Sequence, residues 1–524
     1  MKRLNIIWAL LAAMLLFTAC DDYLDKLPDD RATLDSESKI TQFITSAYGT
    51  RNNAMVHEYS SDNMVYNGDT YNTAVNQEEV WKFEDVTTQG NDDPRSLWNN
   101  YYAAVAAANA ALDAIDEMGN PASLYAQRAE ALLCRAWGMF RLATLFCMAY
   151  DPTKDYMGLP YPKASGLEIV ERGTLTELYD NINADIEEAL PNVSDEHLKV
   201  PKYHFNRKAA YAFAARFNLY YLKFDKAIKY ATQAIGEDPS NVLRNWAEYE
   251  DLGSAEIGNA YVNSSNPANL MLHAAHSLIG RMLYSSSYRR YGYGPVSRNY
   301  ETFYPNAPWG SGSKSTTSLI MSSKQYGSTP NYRLPKIVEF WEYTDVTAGT
   351  GYAHIVDAVF TTDETLLVRA EAYALLKQYD NCIRDLNYWI GSHCRKNNYF
   401  PVLTKESIIS FMEELPEAPR VPETDLNRSI RKALHPQGFT IESGDQTCIL
   451  QFVLHVRRLE TIVQGLRFCD IKRYGIEYSH EVPNADPIEF VAGDLRGAIQ
   501  IPADVLEAGM VPNPREVKSA PKEE

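Results

Sequence analysis

Apolar positions recur at helical spacing along much of the chain. From Trp98 they run Trp98, Tyr102, Val105, Leu112 and Ile115, with Asn109 on the same face. Steps of three and four place them on one stripe of a helix. Gly119-Asn120-Pro121 interrupts the stripe, and a second amphipathic run extends from Leu124 to about Met148. The spacing predicts two antiparallel helices joined by a short turn. Asn206 to Pro239 predicts a second hairpin, with small residues at Ala215, Ala227 and Ala234 where two helices would cross closely, and Pro239 to stop the second helix. Residues 366–390 repeat the design: Tyr379-Asp380-Asn381-Cys382-Ile383 aligns with Phe224-Asp225-Lys226-Ala227-Ile228.

The frame that ends near Pro239 resembles the tetratricopeptide repeat, in which small residues and a late proline fall at these places. Its copies are dispersed rather than tandem, so no regular solenoid is predicted. One interruption runs from about Gly253 to Asp357. Between Tyr284 and Tyr352 it holds ten tyrosines (284, 288, 291, 293, 300, 304, 326, 332, 343 and 352), together with Trp309 and Trp341. Gly, Ser, Asn and Pro are interleaved and the helical period is lost. Irregular chain of this length inside a folded protein is usually functional. Pro401 to Gln446 reads as a second excursion. The expected fold is mostly α: about four tetratricopeptide-like helix pairs as a scaffold, long loop-rich insertions, a few short strands, and one intertwined globular body.

The N-terminus has a different pattern. Lys2 and Arg3 precede Leu4–Phe17, apolar except for Asn5. That is the length of a signal-peptide core and short of the roughly 20 residues of a spanning helix. Leu16-Phe17-Thr18-Ala19-Cys20 resembles the bacterial lipoprotein box, which implies cleavage before Cys20 and acylation of that cysteine; Phe17 stands where Leu is usual. Acyl chains anchor at about 0.8 kcal/mol per buried methylene. Asp21 and Asp22 resemble a surface-export signal of Gram-negative lipoproteins.

Composition narrows the partners. Fifty Lys and Arg against 68 Asp and Glu give a net charge of −18, which repels phosphate backbones and excludes nucleic acid as a probable ligand class. The remaining cysteines (134, 147, 382, 394, 448 and 469) form no C-x-x-C pair, so zinc ribbons and thioredoxin chemistry are out. They read as small buried hydrophobes. His273 and His276 lie three apart without H-E-x-x-H, and Gly310-Ser311-Gly312-Ser313-Lys314-Ser315 lacks the Gly-Lys pair of a phosphate loop. No catalytic residue, metal site or cofactor is predicted. The charged run Arg457 to Gly475 reads as one helix whose Arg457, Glu460, Arg467, Asp470 and Arg473 form a structural ion-pair network.

Taken in order, the lipoprotein start, Asp22-Tyr23-Leu24-Asp25 to Pro28, Trp98 to Asn109, Arg128-Ala129-Glu130-Ala131 with Arg135-Ala136-Trp137, Ala370-Glu371-Ala372, Glu460 through Gly475, and Ile501-Pro502 with Asn513-Pro514 resemble the SusD/RagB family. Gln464 departs from the family's usual Glu before Gly465. The resemblance implies a signal peptide at 1–19, an N-terminal SusD-like region at 20–250 and a C-terminal SusD/RagB region at 251–524. It also implies a non-enzymatic lipoprotein on the extracellular face of the outer membrane, anchored through Cys20. Such a protein captures an oligosaccharide in its loops and passes it to a SusC-like TonB-dependent transporter. A peptide ligand with the same transporter, and a surface glycosidase, are the alternatives.

Sugar C–H faces pack on flat aromatic rings and hydroxyls need amide, carboxylate and guanidinium partners. The expected stacking residues are therefore Trp81, Tyr293, Trp309 and Trp341, and the expected polar ones Asn67, Asp69, Arg290 and Asn306. Trp98, Trp137 and Trp389, in helical stripes, are assigned to the core.

Overall fold

The computed structural model describes residues 33–166, 171–312, 314–482 and 484–515. The signal segment and Cys20 lie outside the described residues. Three short helices, α1 (Glu37–Phe43), α2 (Ala54–Tyr59) and α3 (Val75–Trp81), lead into the first long pair, α4 (Pro94–Glu117) and α5 (Tyr125–Phe146). Pro94 opens α4, where its missing N–H leaves no bond unmade. The pair crosses closely: a Cβ on Gly138 would stand 3.0 Å from Val105 Cγ2. Helix α6 (Leu175–Ala189) packs on α5 and begins with a capping box, Glu177 N donating to Thr174 Oγ1 and Thr174 N to the Glu177 carboxylate.

Helices α7 (Arg207–Tyr220) and α8 (Phe224–Ile235) form the second hairpin. After α9 (Ser254–Tyr261), helices α10 (Thr362–Leu375) and α11 (Tyr379–His393) form the third. The sequence repeat becomes a geometrical one. Phe224 and Tyr379 both start the second helix, and two residues earlier Leu222 and Lys377 take the same left-handed conformation, φ 61° and 59°. Ala215, Ala227, Ala234 and Cys382 are buried at these crossings. Helix α12 (Lys405–Glu414) packs on α13 (Asp445–Thr461), which lies against α10.

The run expected as one helix is broken. Helix α13 ends at Thr461 and α14 (Arg467–Tyr474) begins after a turn. Val463 (φ 64°) and Gly465 (φ 78°) make that turn, and a Cβ on Gly465 would meet Ala54 Cα at 2.8 Å. A glycine is required there. The ion pairs are buried and structural: Arg457 reaches Asp470 (3.2 Å) and Glu371 (3.1 Å), Arg473 reaches Asp470 (2.9 Å), and Arg467 reaches Asp62 (2.8 Å). Glu460 faces elsewhere, accepting from Trp389 Nε1 (3.0 Å) and pairing with Lys336 and His393. The six described cysteines are buried and free. Trp98, Trp137 and Trp389 lie in the core.

The insertions contribute the strands. A three-stranded antiparallel sheet has the order β2 (Asn269–Ala275), β7 (Thr350–Thr361), β6 (Glu339–Asp345). Two-stranded pieces pair β1 (Val65–Tyr66) with β3 (Tyr291–Gly292), β4 (Tyr326–Ser328) with β5 (Asn331–Arg333), and β8 (Tyr478–His480) with β9 (Ile488–Phe490). The architecture is the mostly helical scaffold with few short strands that the periodicity predicts.

Candidate functional site

Three of the four expected stacking rings are enclosed, which corrects the expectation that they face solvent. Trp81 closes α3 with its indole stacked on His480 (centroids 4.5 Å, 6° between planes) and its Nε1 donating to Met64 O. Tyr293 is buried, and its hydroxyl shares a hydrogen bond with Thr302 Oγ1 at 2.6 Å. Trp309 lies parallel to His455 (6.0 Å, 10°) and against Trp389. The corner that carries it is tight: Gly310 sits at φ 86°, where a Cβ would strike Thr316 O at 2.2 Å. Irregular backbone has no apolar stripe of its own, and Trp309 supplies contacts that hold the insertion to α11 and α13.

The polar candidates divide into positioning and exposed groups. Asn67 Nδ2 donates to Arg289 O (3.0 Å) and Asn331 Oδ1 (2.8 Å), which ties loop 66–72 to the 289–292 segment and to β5. Arg290 Nε donates to Tyr71 O (2.9 Å), and Nη1 stands 3.8 Å from Glu78. Gln77 Nε2 donates to Tyr288 O and Tyr291 O from below. Asp69 is exposed. Partial burial and the Asp69 carboxylate, hydrogen-bonded to the phenol, raise the Tyr66 hydroxyl above its usual range. Beside Tyr66 a pocket of about 80 Å³ opens, walled by Pro419, Arg420 and Ser479. Asp62 forms part of its lining; burial opposes its charge, yet Arg458 and Arg467 hold it well below the usual carboxylate range.

Tyrosine and arginine pairs continue the surface. The Arg298 guanidinium lies 3.5 Å from the Tyr332 ring centre and 4.4 Å from that of Tyr304. Arg333 stands 3.5 Å from the ring centre of Tyr284, which is exposed. Asn306 is exposed two residues after Tyr304. Arg281 makes a two-bond pair with Glu339 (2.7 and 2.9 Å), joining the 279–293 segment to the base of the β6–β7 hairpin.

On that hairpin Trp341 is 45% exposed and Tyr343 57%. Side chains two apart on a strand share a face, and these rings meet edge to face at 6.4 Å. Their cross-strand neighbours are Ala353 and Gly351. Glycine is needed at 351, where a Cβ would lie 2.9 Å from Trp341 Nε1. Two large rings opposite two small residues form an uncovered apolar platform. Of the expected site residues, Trp341, Asn67, Asp69, Arg290 and Asn306 are at or near the surface. Tyr71, Tyr284, Tyr332 and Tyr343 join them without having been singled out. For Tyr343 the signal was available as Trp-x-Tyr alternation across from Gly-x-Ala.

Residues 22–219 match the model of a SusD-like family described as starch-binding and associating with the outer membrane. SusD-like protein P38 of Formosa agariphila is 22% identical over 511 residues, covering 90% of this chain and 91% of its own. Among solved structures, a SusD superfamily protein from Bacteroides thetaiotaomicron superposes with a TM-score of 0.61 at 16% identity, covering 91% of this chain and 98% of its own. A SusD-like carbohydrate-binding protein from Bacteroides vulgatus gives 0.56 at 16% identity, with 90% and 95% covered. The structures establish a shared fold over nine-tenths of the chain, and the family model adds sequence likeness in its N-terminal part.

Proposed function

We propose that this chain is a SusD-like protein that captures a neutral oligosaccharide on its loop face and hands it to a SusC-like TonB-dependent transporter. The match of residues 22–219 to a family described as starch-binding and associating with the outer membrane supports this reading. The observation that carries it is the Trp341–Tyr343 pair, two exposed rings set across from the small residues Ala353 and Gly351. Asp69 and Asn306 are exposed to meet hydroxyl groups; Asn67 and Arg290 hold the loop that presents Asp69. Lipidation at Cys20 would tether the protein to the outer face of the outer membrane. Its part is binding, with no bond made or broken.

Titration calorimetry with maltoheptaose, cellohexaose, xylohexaose and mannohexaose tests the ligand class. Binding of at least one, lost at least tenfold in Trp341→Ala/Tyr343→Ala, is expected; equal affinity of wild type and variant for every sugar bound would misplace the site. Isolation of the surface complex should recover a large β-barrel partner. A second reading, a peptide ligand, draws on β6 being the terminal strand of its sheet, since such an edge can accept another strand. It predicts that an extended peptide competes with no sugar loss in the aromatic variant.

A further inference from the structure

A groove of about 740 Å³ lies between the 240–252 segment, the 263–267 turn and helix α11. It shares no residue with the surface described above. Asn241, Asn245, Asn263, Asn266 and Asn387 line it, together with Tyr388; no Lys or Arg does, and Glu248 is its one carboxylate.

Most of these amides are already fixed. Asn263 Oδ1 accepts from Ser265 N (2.8 Å) and Asn266 Oδ1 from Ala268 N (2.9 Å), while Asn266 Nδ2 donates to Tyr249 OH (2.9 Å). Asn387 exchanges two bonds with the Leu403 backbone, both 2.9 Å. The wall is therefore rigid before any ligand arrives. Among the described residues the Asn241 amide and Asn263 Nδ2 are left without a protein partner, and both residues are exposed.

The helix wall carries the second observation. Gly391 sits inside α11, and a Cβ there would meet nothing within 4 Å. No close approach demands a glycine, and glycine is the poorest helix former apart from proline. A helical side chain covers the surface over the turn N-terminal to its own Cα. At 391 that surface belongs to Asn387 and Tyr388. Glycine thus uncovers the half-buried Tyr388 ring.

An uncovered aromatic ring, uncharged amide donors in a prearranged wall and room for several rings match a polyhydroxyl ligand better than an ion or a lipid. We infer that this groove is a separate binding site for a neutral oligosaccharide. The inference stands whether or not the loop face is the capture site.

The test uses the Trp341→Ala/Tyr343→Ala protein, in which the loop platform is removed, titrated with maltoheptaose, cellohexaose, xylohexaose and mannohexaose. At least one sugar should still bind. Adding Gly391→Leu, which fills the groove, or Tyr388→Ala, which removes the ring, should each weaken that binding tenfold or more. Gly391→Leu should leave the melting temperature unchanged or higher, which separates blockage from unfolding. Absence of binding to all four sugars in the platform-deleted protein overturns the proposal, as does retained affinity in either added variant. Failure of the loop-face reading would look different: wild type and platform-deleted protein would then bind alike.

Discussion

Replacing Trp309 by alanine removes an indole enclosed by His455 and Trp389. It should cost about 3–5 kcal/mol of stability, the range for deleting a large buried aromatic ring, seen as an early denaturant midpoint. Trp341→Ala should change stability by no more than about 0.5 kcal/mol, as exposed substitutions do, while sugar affinity falls. Both tryptophans lie in the same tyrosine-rich insertion, so composition marked them alike. What separates them is where the backbone aims the side chain. Gly310 turns the chain so that Trp309 points inward, whereas Trp341 lies on a strand whose partner residues are too small to cover it. These are tertiary facts. Asp69 and Asn306, short polar residues in loops, are exposed although aromatic residues flank them in the chain.

The helical hairpins were legible for a different reason: period, punctuation and small crossing residues all agreed, and the offset between Phe224 and Tyr379 survived as matching turns. Those turns carry a cost the sequence hides. A side chain in the left-handed region is strained by about 1–2 kcal/mol relative to glycine, so Lys377→Gly, at an exposed position, should raise stability by up to about 1 kcal/mol in chemical denaturation after loss of its surface contact with Glu442. The opposite holds at Gly138, where the α4–α5 crossing is already in contact: Gly138→Leu should destabilise by about 1–3 kcal/mol through overpacking. The break between α13 and α14 was missed. Helical spacing of charges continues across it, and only the contact of Gly465 with Ala54, remote in sequence, dictates the turn.

Across the whole molecule, acid should weaken the fold. Burial lowers His57, His273 and His455 to about 3 and His480 to about 4. The folded state favours their neutral forms, so their contribution is present above pH 6.5 and is lost as pH falls toward 3–4. Burial raises Glu58 to about 7 and Asp92 to about 6. Their contribution runs the other way, present below the ordinary carboxylate range and lost as pH rises through 6–7. The histidines at about 3 stand furthest from their ordinary value, so the melting temperature should be lower at pH 4.5 than at pH 7.5; a higher value at pH 4.5 would contradict this balance. None of it was legible in the sequence, because each histidine is buried by segments far away in the chain.

The same long reach has a consequence in time. Asp62 is buried, and its charge is met by Arg467, 405 residues later, and by Arg458. At roughly 5–20 residues per second of synthesis, the aspartate waits roughly 20–80 s for its counter-charge. Until then the N-terminal segment cannot close around it without leaving a buried charge unpaired. A chain built this way keeps its N-terminal segment open until nearly all of it has been made.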